Sequence, residues 1–132
     1  MTGGEPMMDN NTYKVFQYII DNPKDDLHLN VTSNMCPPDK KLKEKYFNMA
    51  QTICMQEKVE HMMQFVSVDA FGERAEYIRD GLDFNYMMDN VEEFLDRIPV
   101  RNSITFICTY NNLSITSMDK LLEKKLELRK RY

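Results

Sequence analysis

Between Gly81 and Arg131 the chain is marked off by start and stop signals at the spacing that helices require. Asp83 stands where a helix N-cap belongs. Phe84, Met87, Met88, Val91, Phe94, Leu95 and Ile98 then give a wide apolar face, and Pro99 ends it. A capping-box-like start, Thr116-x-x-Asp119, precedes Met118, Leu121, Leu122, Lys125 and Leu128, which follow a, d, e spacing for two heptads. Between these two segments lies Ser103–Tyr110, which is β-branched and short. Its helical neighbours favour a buried helix, with a strand as the alternative.

The upstream half reads in the same way. Met1–Asn10 is polar and is expected to be disordered. Asn11 or Thr12 can cap a helix carrying Tyr13, Phe16, Ile19 and Ile20, and Asn22-Pro23 stops it. In 24–38, Leu27, Leu29 and Val31 alternate with polar residues, as an extended segment does. No strand partner is evident, so the segment reads as an arm on the helices, or as an edge for another chain. Pro37-Pro38-Asp39 opens a long helix over about 40–66, with Leu42, Tyr46, Met49, Ile53, Val59, Met62, Met63 and Val66 on its buried face. The stripe slips at Gln56-Glu57-Lys58, where a bend or break fits. Asp69 can cap a short helix ending at Gly81. The expected fold is therefore all-α: a compact bundle of about six helices over 11–132, with an extended segment near 24–38.

Charge is unevenly spread. Residues 67–99 hold nine acids and three bases, net −6; residues 100–132 hold seven bases and three acids, net +4. Opposite blocks can support head-to-tail association, although a basic C-terminal helix end also complements its own dipole. Overall charge is −4, which gives no general reason to expect nucleic acid beyond a weak contact through the basic tail. The three cysteines, Cys36, Cys54 and Cys108, form no C-x-x-C motif. Reduced thiols point to an intracellular setting (cytosol, nucleus or virion interior), with Cys54 and Cys108 expected on buried stripes. No apolar run approaches the length of a membrane span, and no signal peptide is seen.

Chemistry is sparsely supplied. Cys54 and His61, seven residues apart on the expected helix, would be separated by roughly 10 Å, too far for a nucleophile–base pair. Glu57 and His61 at i, i+4 could both ligate a metal, but the Glu-x-x-His pair of a di-metal bundle is absent. Asp89, Glu92, Glu93 and Asp96 read as a solvated acidic face. No phosphate loop is present. No catalytic residue, metal or cofactor is expected. Eleven methionines, with the pairs Met62-Met63 and Met87-Met88, suit either plain core or a partner groove. The residues expected to meet a partner are Met87, Met88, Val91, Phe94, Leu95, Met118, Leu121 and Leu122.

Three landmarks carry a family resemblance: the helix-ending step Gly81-Leu82; Phe94-Leu-Asp-Arg-Ile-Pro99; and Ser117-Met-Asp-Lys-Leu-Leu122 running to Leu126-Glu-Leu-Arg129. In order and separation they resemble the capsid region of Ty1/copia-type retroelement Gag proteins, over about residues 46–131. The resemblance implies a helical domain that self-associates into a shell and carries no catalysis. The function expected is thus a non-enzymatic, self-associating interaction domain, capsid-like and viral or retroelement-derived. The alternative is a monomeric Bcl-2-like or death-fold-like adaptor holding a partner's amphipathic helix in a Met-rich groove.

Overall fold

The computed structural model describes residues 4–132. Its elements are α1 (Asn10–Asp21), β1 (Lys24–Ser33), α2 (Lys40–Met55), β2 (Val59–Ser67), α3 (Glu73–Ile78), α4 (Phe84–Arg97), β3 (Asn102–Ile107), a 3₁₀ turn (Ile115–Ser117) and α5 (Met118–Arg131). The fold is mixed α/β, which overturns the all-α bundle: three parallel strands lie in the order β1-β2-β3.

The extended segment near 24–38 is β1, and the two segments read as helix that are strands are 59–66 of the long helix and the first part of Ser103–Tyr110. The long helix ends at Met55 because Glu57 enters the left-handed region, φ 53°. Lys58 N–H donates to Ile53 C=O at 2.8 Å and Glu57 N–H to Cys54 C=O at 3.2 Å, the paired bonds of a Schellman stop. That position usually holds Gly or Asn; here it holds Glu, so the stop signal is hidden. Beyond it, Val59, Met62, Met63 and Val66 mimic a helical stripe. The strand buries Met62, Gln64 and Val66, and the polar Gln64 masks the period of two. Once 59–67 is a strand, the extended segment near 24–38 has its partner: Leu29 lies beside Met62 and Val31 beside Gln64. Ser103–Tyr110 is β3 over its first part, with Gln64 beside Ile104 and Val66 beside Phe106.

Sheet order fixes the layering. Each crossover steps in the same direction, and right-handed crossovers then put every connecting helix on one face. Phe47 of α2 and Phe94 of α4 meet edge to face at 5.2 Å, and Phe16 of α1 lies 5.2 Å from Tyr46 of α2. This cluster sits over Leu29, Val31, Met62 and Val66, all buried. Gln64 is tolerated there because its polar atoms are bonded: Tyr46 donates to Oε1 at 2.6 Å, and Nε2 donates to Val31 C=O at 3.2 Å. Asn90 of α4, also buried, donates to Met35 C=O at 2.8 Å.

The helix starts are partly as expected. Asp83 caps α4 through Tyr86 N–H, and Asp39 caps α2 through Lys41 N–H. Asp9, rather than Asn11 or Thr12, caps α1. The box at Thr116–Asp119 does not form: α5 starts from the 3₁₀ turn with no side-chain cap. Of the segment expected to be disordered, residues 1–3 lie outside the described residues. Within 4–10, Met7 is buried in the core, Tyr13 donates to its carbonyl, and the Glu5 carboxylate accepts from Ser33 Oγ and Asn34 N–H.

Candidate functional site

Among the described residues no helix layer covers the other face of the sheet. Along β2 it presents His61, Met63, Phe65 and Ser67, none of them buried. Register sets Asn30 and Ser103 on either side of Met63, and Thr32 and Thr105 on either side of Phe65. His28 adjoins His61, and Ile107, 42% exposed, adjoins Ser67. A parallel sheet is usually buried on both faces, so a bare one is an unfinished layer.

Its composition is unlike the rest of the surface. None of these ten positions holds Asp, Glu, Lys or Arg, although such residues make up 29% of the chain. An apolar centre, Met63 and Phe65, is ringed by hydroxyl, amide and imidazole groups. Depletion of charge at the centre with polar groups at the rim is the pattern of a recognition surface. At about 3.3 Å per residue and 4.8 Å per strand the face spans roughly 20 Å by 14 Å. That is well under the ~800 Å² a side of a standard domain–domain interface, and it fits a peptide or loop.

One polar pair on this face resembles catalytic equipment. His61 Nε2 lies 2.8 Å from Ser103 Oγ. A serine nucleophile needs a histidine that a third group orients. Among the described residues no carboxylate bonds His61; Glu60 pairs with His28 instead, at 3.1 Å. The pair therefore reads as a cross-strand hydrogen bond.

The residues singled out from the sequence are distributed differently. Met87, Met88, Val91, Phe94 and Leu121 are buried inside the chain, Leu95 and Met118 are half-buried, and Leu122 is 53% exposed. The apolar girth of α4 is taken up by the other helices and by α5. The acidic residues of α4 are largely paired within the chain. Glu93 meets Lys43 at 2.8 Å and Arg97 at 2.9 Å; burial alone would raise its pKa, but these two cations hold it below the usual range. Glu92 meets Lys124 at 2.9 Å and Arg131 at 2.6 Å, and Asp96 accepts from the Tyr132 hydroxyl at 2.8 Å. Part of the opposition between the two charge blocks is thus spent in docking α5 onto α4.

Cys54 is buried on α2 and does not meet His61 in a hydrogen bond; burial pushes its thiol up to about 12. Cys108, expected to be buried, is exposed, and its thiol donates to Val68 C=O at 2.6 Å. Among the described residues no group of three or more His, Cys, Asp or Glu could hold a metal ion. No helix among them is long and apolar enough to cross a membrane.

Compared with protein-family models, curated proteins and solved structures, the chain matches none. None of these comparisons bears on the Gag resemblance.

Proposed function

We propose that this chain is a non-enzymatic protein-recognition module whose working surface is the uncovered face of its parallel sheet. The observation that carries the reading is the uncharged, half-buried patch around Met63 and Phe65 on a sheet type that normally has a second layer. Strand–helix units stacked in chain order, with all helices on one side, are the layout by which α/β repeat proteins offer a sheet surface to partners. The partner class that suits the face is an uncharged segment of another protein, with an apolar side chain for Phe65 and hydrogen-bonding groups for Thr32, Thr105 and Ser103. Three unpaired cysteines support an intracellular setting.

Photo-crosslinking in cells tests this. A photoreactive phenylalanine placed at Thr105 should give discrete protein adducts, and Phe65→Ser in the same chain should abolish them. The same probe at Tyr77, 80% exposed on α3, should give none of those adducts. Identical adducts from both positions, or adducts indifferent to Phe65→Ser, would defeat the proposal.

A further inference from the structure

β3 is an outer strand, and its free edge lacks the usual guards. Asn102-Ser-Ile-Thr-Phe-Ile107 carries neither a charge nor a proline, the devices that keep an edge from pairing. Met62 N–H donates to Arg101 C=O and Val68 N–H to Ile107 C=O, both on the inner side of the strand. By alternation the N–H and C=O groups of Ile104 and Phe106 point outward, away from β2. Among the described residues β3 pairs with β2 alone.

A cleft of about 470 Å³ runs along this edge beneath α5. Val91 and Leu95 of α4, with Ile104 and Phe106 of β3, form its apolar floor, and Lys125 and Arg129 of α5 stand at its rim. Asn102 also lines it. The Asn102 Nδ2 donates to Ile98 C=O at 3.4 Å, while its buried Oδ1 has no hydrogen-bond partner among the described residues. A buried acceptor without a donor is destabilising, and a backbone N–H laid along the edge would supply one.

Charge decides what fits. α5 runs back along β3: Ser117 at its start accepts from Phe71 N–H, shortly past the end of β2, and Tyr132 at its end reaches Asp96 of α4 at 2.8 Å. The α4 acids that meet α5 are already answered, Glu92 by Lys124 and Arg131, and Asp96 by Tyr132. Lys125 and Arg129 are exposed and form no ion pair among the described residues. One helical turn apart, about 6 Å, they match the separation of two same-side residues of a strand, roughly 7 Å.

We propose that this edge takes an extended acidic segment of another protein, added as a fourth strand to β3 beneath α5. Its backbone meets the outward groups of Ile104 and Phe106 and brings a donor to Asn102 Oδ1. On the side facing α5, an apolar side chain covers Ile104 and Phe106, and an acidic one two residues away answers Lys125 and Arg129. A second copy is the poorer occupant, because β3 against β3 would bring the Lys125 and Arg129 pairs of both copies toward one contact. The site is separate from the uncovered face of the sheet and does not depend on the role proposed for that face.

A displayed library of random nonapeptides, selected on the wild-type chain, is the probe. Enriched sequences should carry an acidic residue two positions from an apolar one, and a synthetic peptide of that sequence should bind in fluorescence polarisation. Lys125→Glu with Arg129→Glu should weaken that binding at least tenfold while leaving the circular dichroism spectrum unchanged. Lys40→Glu with Lys41→Glu, the same charge change on α2, should alter it less than twofold. N-methylation at alternate peptide residues should abolish binding in one phase and spare it in the other, as strand pairing requires. Hydrogen exchange should show the Ile104 and Phe106 amides becoming protected when the peptide is added. No enrichment over the unselected library, binding indifferent to reversal of Lys125 and Arg129, or peptide protection that spares β3 would each overturn the proposal. So would protection of those amides by rising concentration of the chain alone, which would make a second copy the occupant.

Discussion

Tyr46→Phe and Gln64→Leu, made singly and together, probe the register between helix layer and sheet. Tyr46 is fully buried on α2, and its hydroxyl donates to Gln64 Oε1 on β2 at 2.6 Å. Removing the hydroxyl leaves a buried amide oxygen without its donor, at a cost of about 1–3 kcal/mol. Gln64→Leu strands the tyrosine hydroxyl and removes the bond to Val31 C=O, with a loss of similar size. With both partners apolar neither is stranded, so the double variant should fall short of the summed losses by about 1–2 kcal/mol. Urea unfolding followed by circular dichroism, at dilute protein, gives all four free energies. In one continuous helix over 40–66 the two residues would lie about 27 Å apart and could not couple. Additivity within about 0.5 kcal/mol would refute the packing of α2 on β2.

Glu57→Gly should stabilise the chain by about 0.5–1 kcal/mol in the same assay, because a left-handed residue with a Cβ is strained and the ion pair to Arg101 that it forfeits is a surface one. Burial raises the Cys54 pKa from 9.0 to about 12, so its contribution to stability is whole below pH 9 and is lost as the pH climbs toward 12. Urea unfolding from pH 8 to 11 should show a shallower decline for Cys54→Ala than for wild type. Burial would raise the Asp69 carboxyl, but Arg79 Nε at 2.7 Å and Thr109 N–H at 2.8 Å hold it below the usual range. Its contribution is therefore present above pH 4 and fades in acid, and Asp69→Asn should cost about 1.5–3 kcal/mol at pH 7 but little at pH 2.

Helices with orthodox punctuation were legible in the sequence. α4 lies between Asp83 and Pro99, and α2 begins at Asp39, because caps and prolines act locally. The strands were legible only in part: the alternation of Leu27, Leu29 and Val31 marked β1 as extended, but the sheet stayed hidden for three separate reasons. A glutamate in the left-handed position concealed the end of α2. A buried glutamine, bonded to Tyr46, broke the alternation of β2. β1 then had no visible partner, since parallel pairing joins residues 33 or more positions apart and leaves no turn signal between them. The candidate surface was illegible for the same cause. Met63, Phe65 and Thr105 share a face only when β2 and β3 are strands, and an apolar stripe on α4 is core once a sheet, α2 and α5 surround it. The opposite charge blocks were plain in the sequence, but nothing local told that Glu92 and Asp96 would be answered by Lys124, Arg131 and Tyr132 of the same chain.

Mild peroxide oxidation of the native protein, read by peptide mass spectrometry, tests most directly whether one sheet face is bare. Met62 and Met63 are neighbours in β2 with opposite surroundings: Met62 is fully buried under the helices, and Met63 faces outward in the middle of the uncovered face. Oxidation tracks access of peroxide to the thioether. Met63 sulfoxide should accumulate in the native state while Met62 stays reduced until the chain is unfolded. Equal protection of both residues would mean that a second layer covers the sheet, and equal oxidation would mean that β2 is not packed beneath α2.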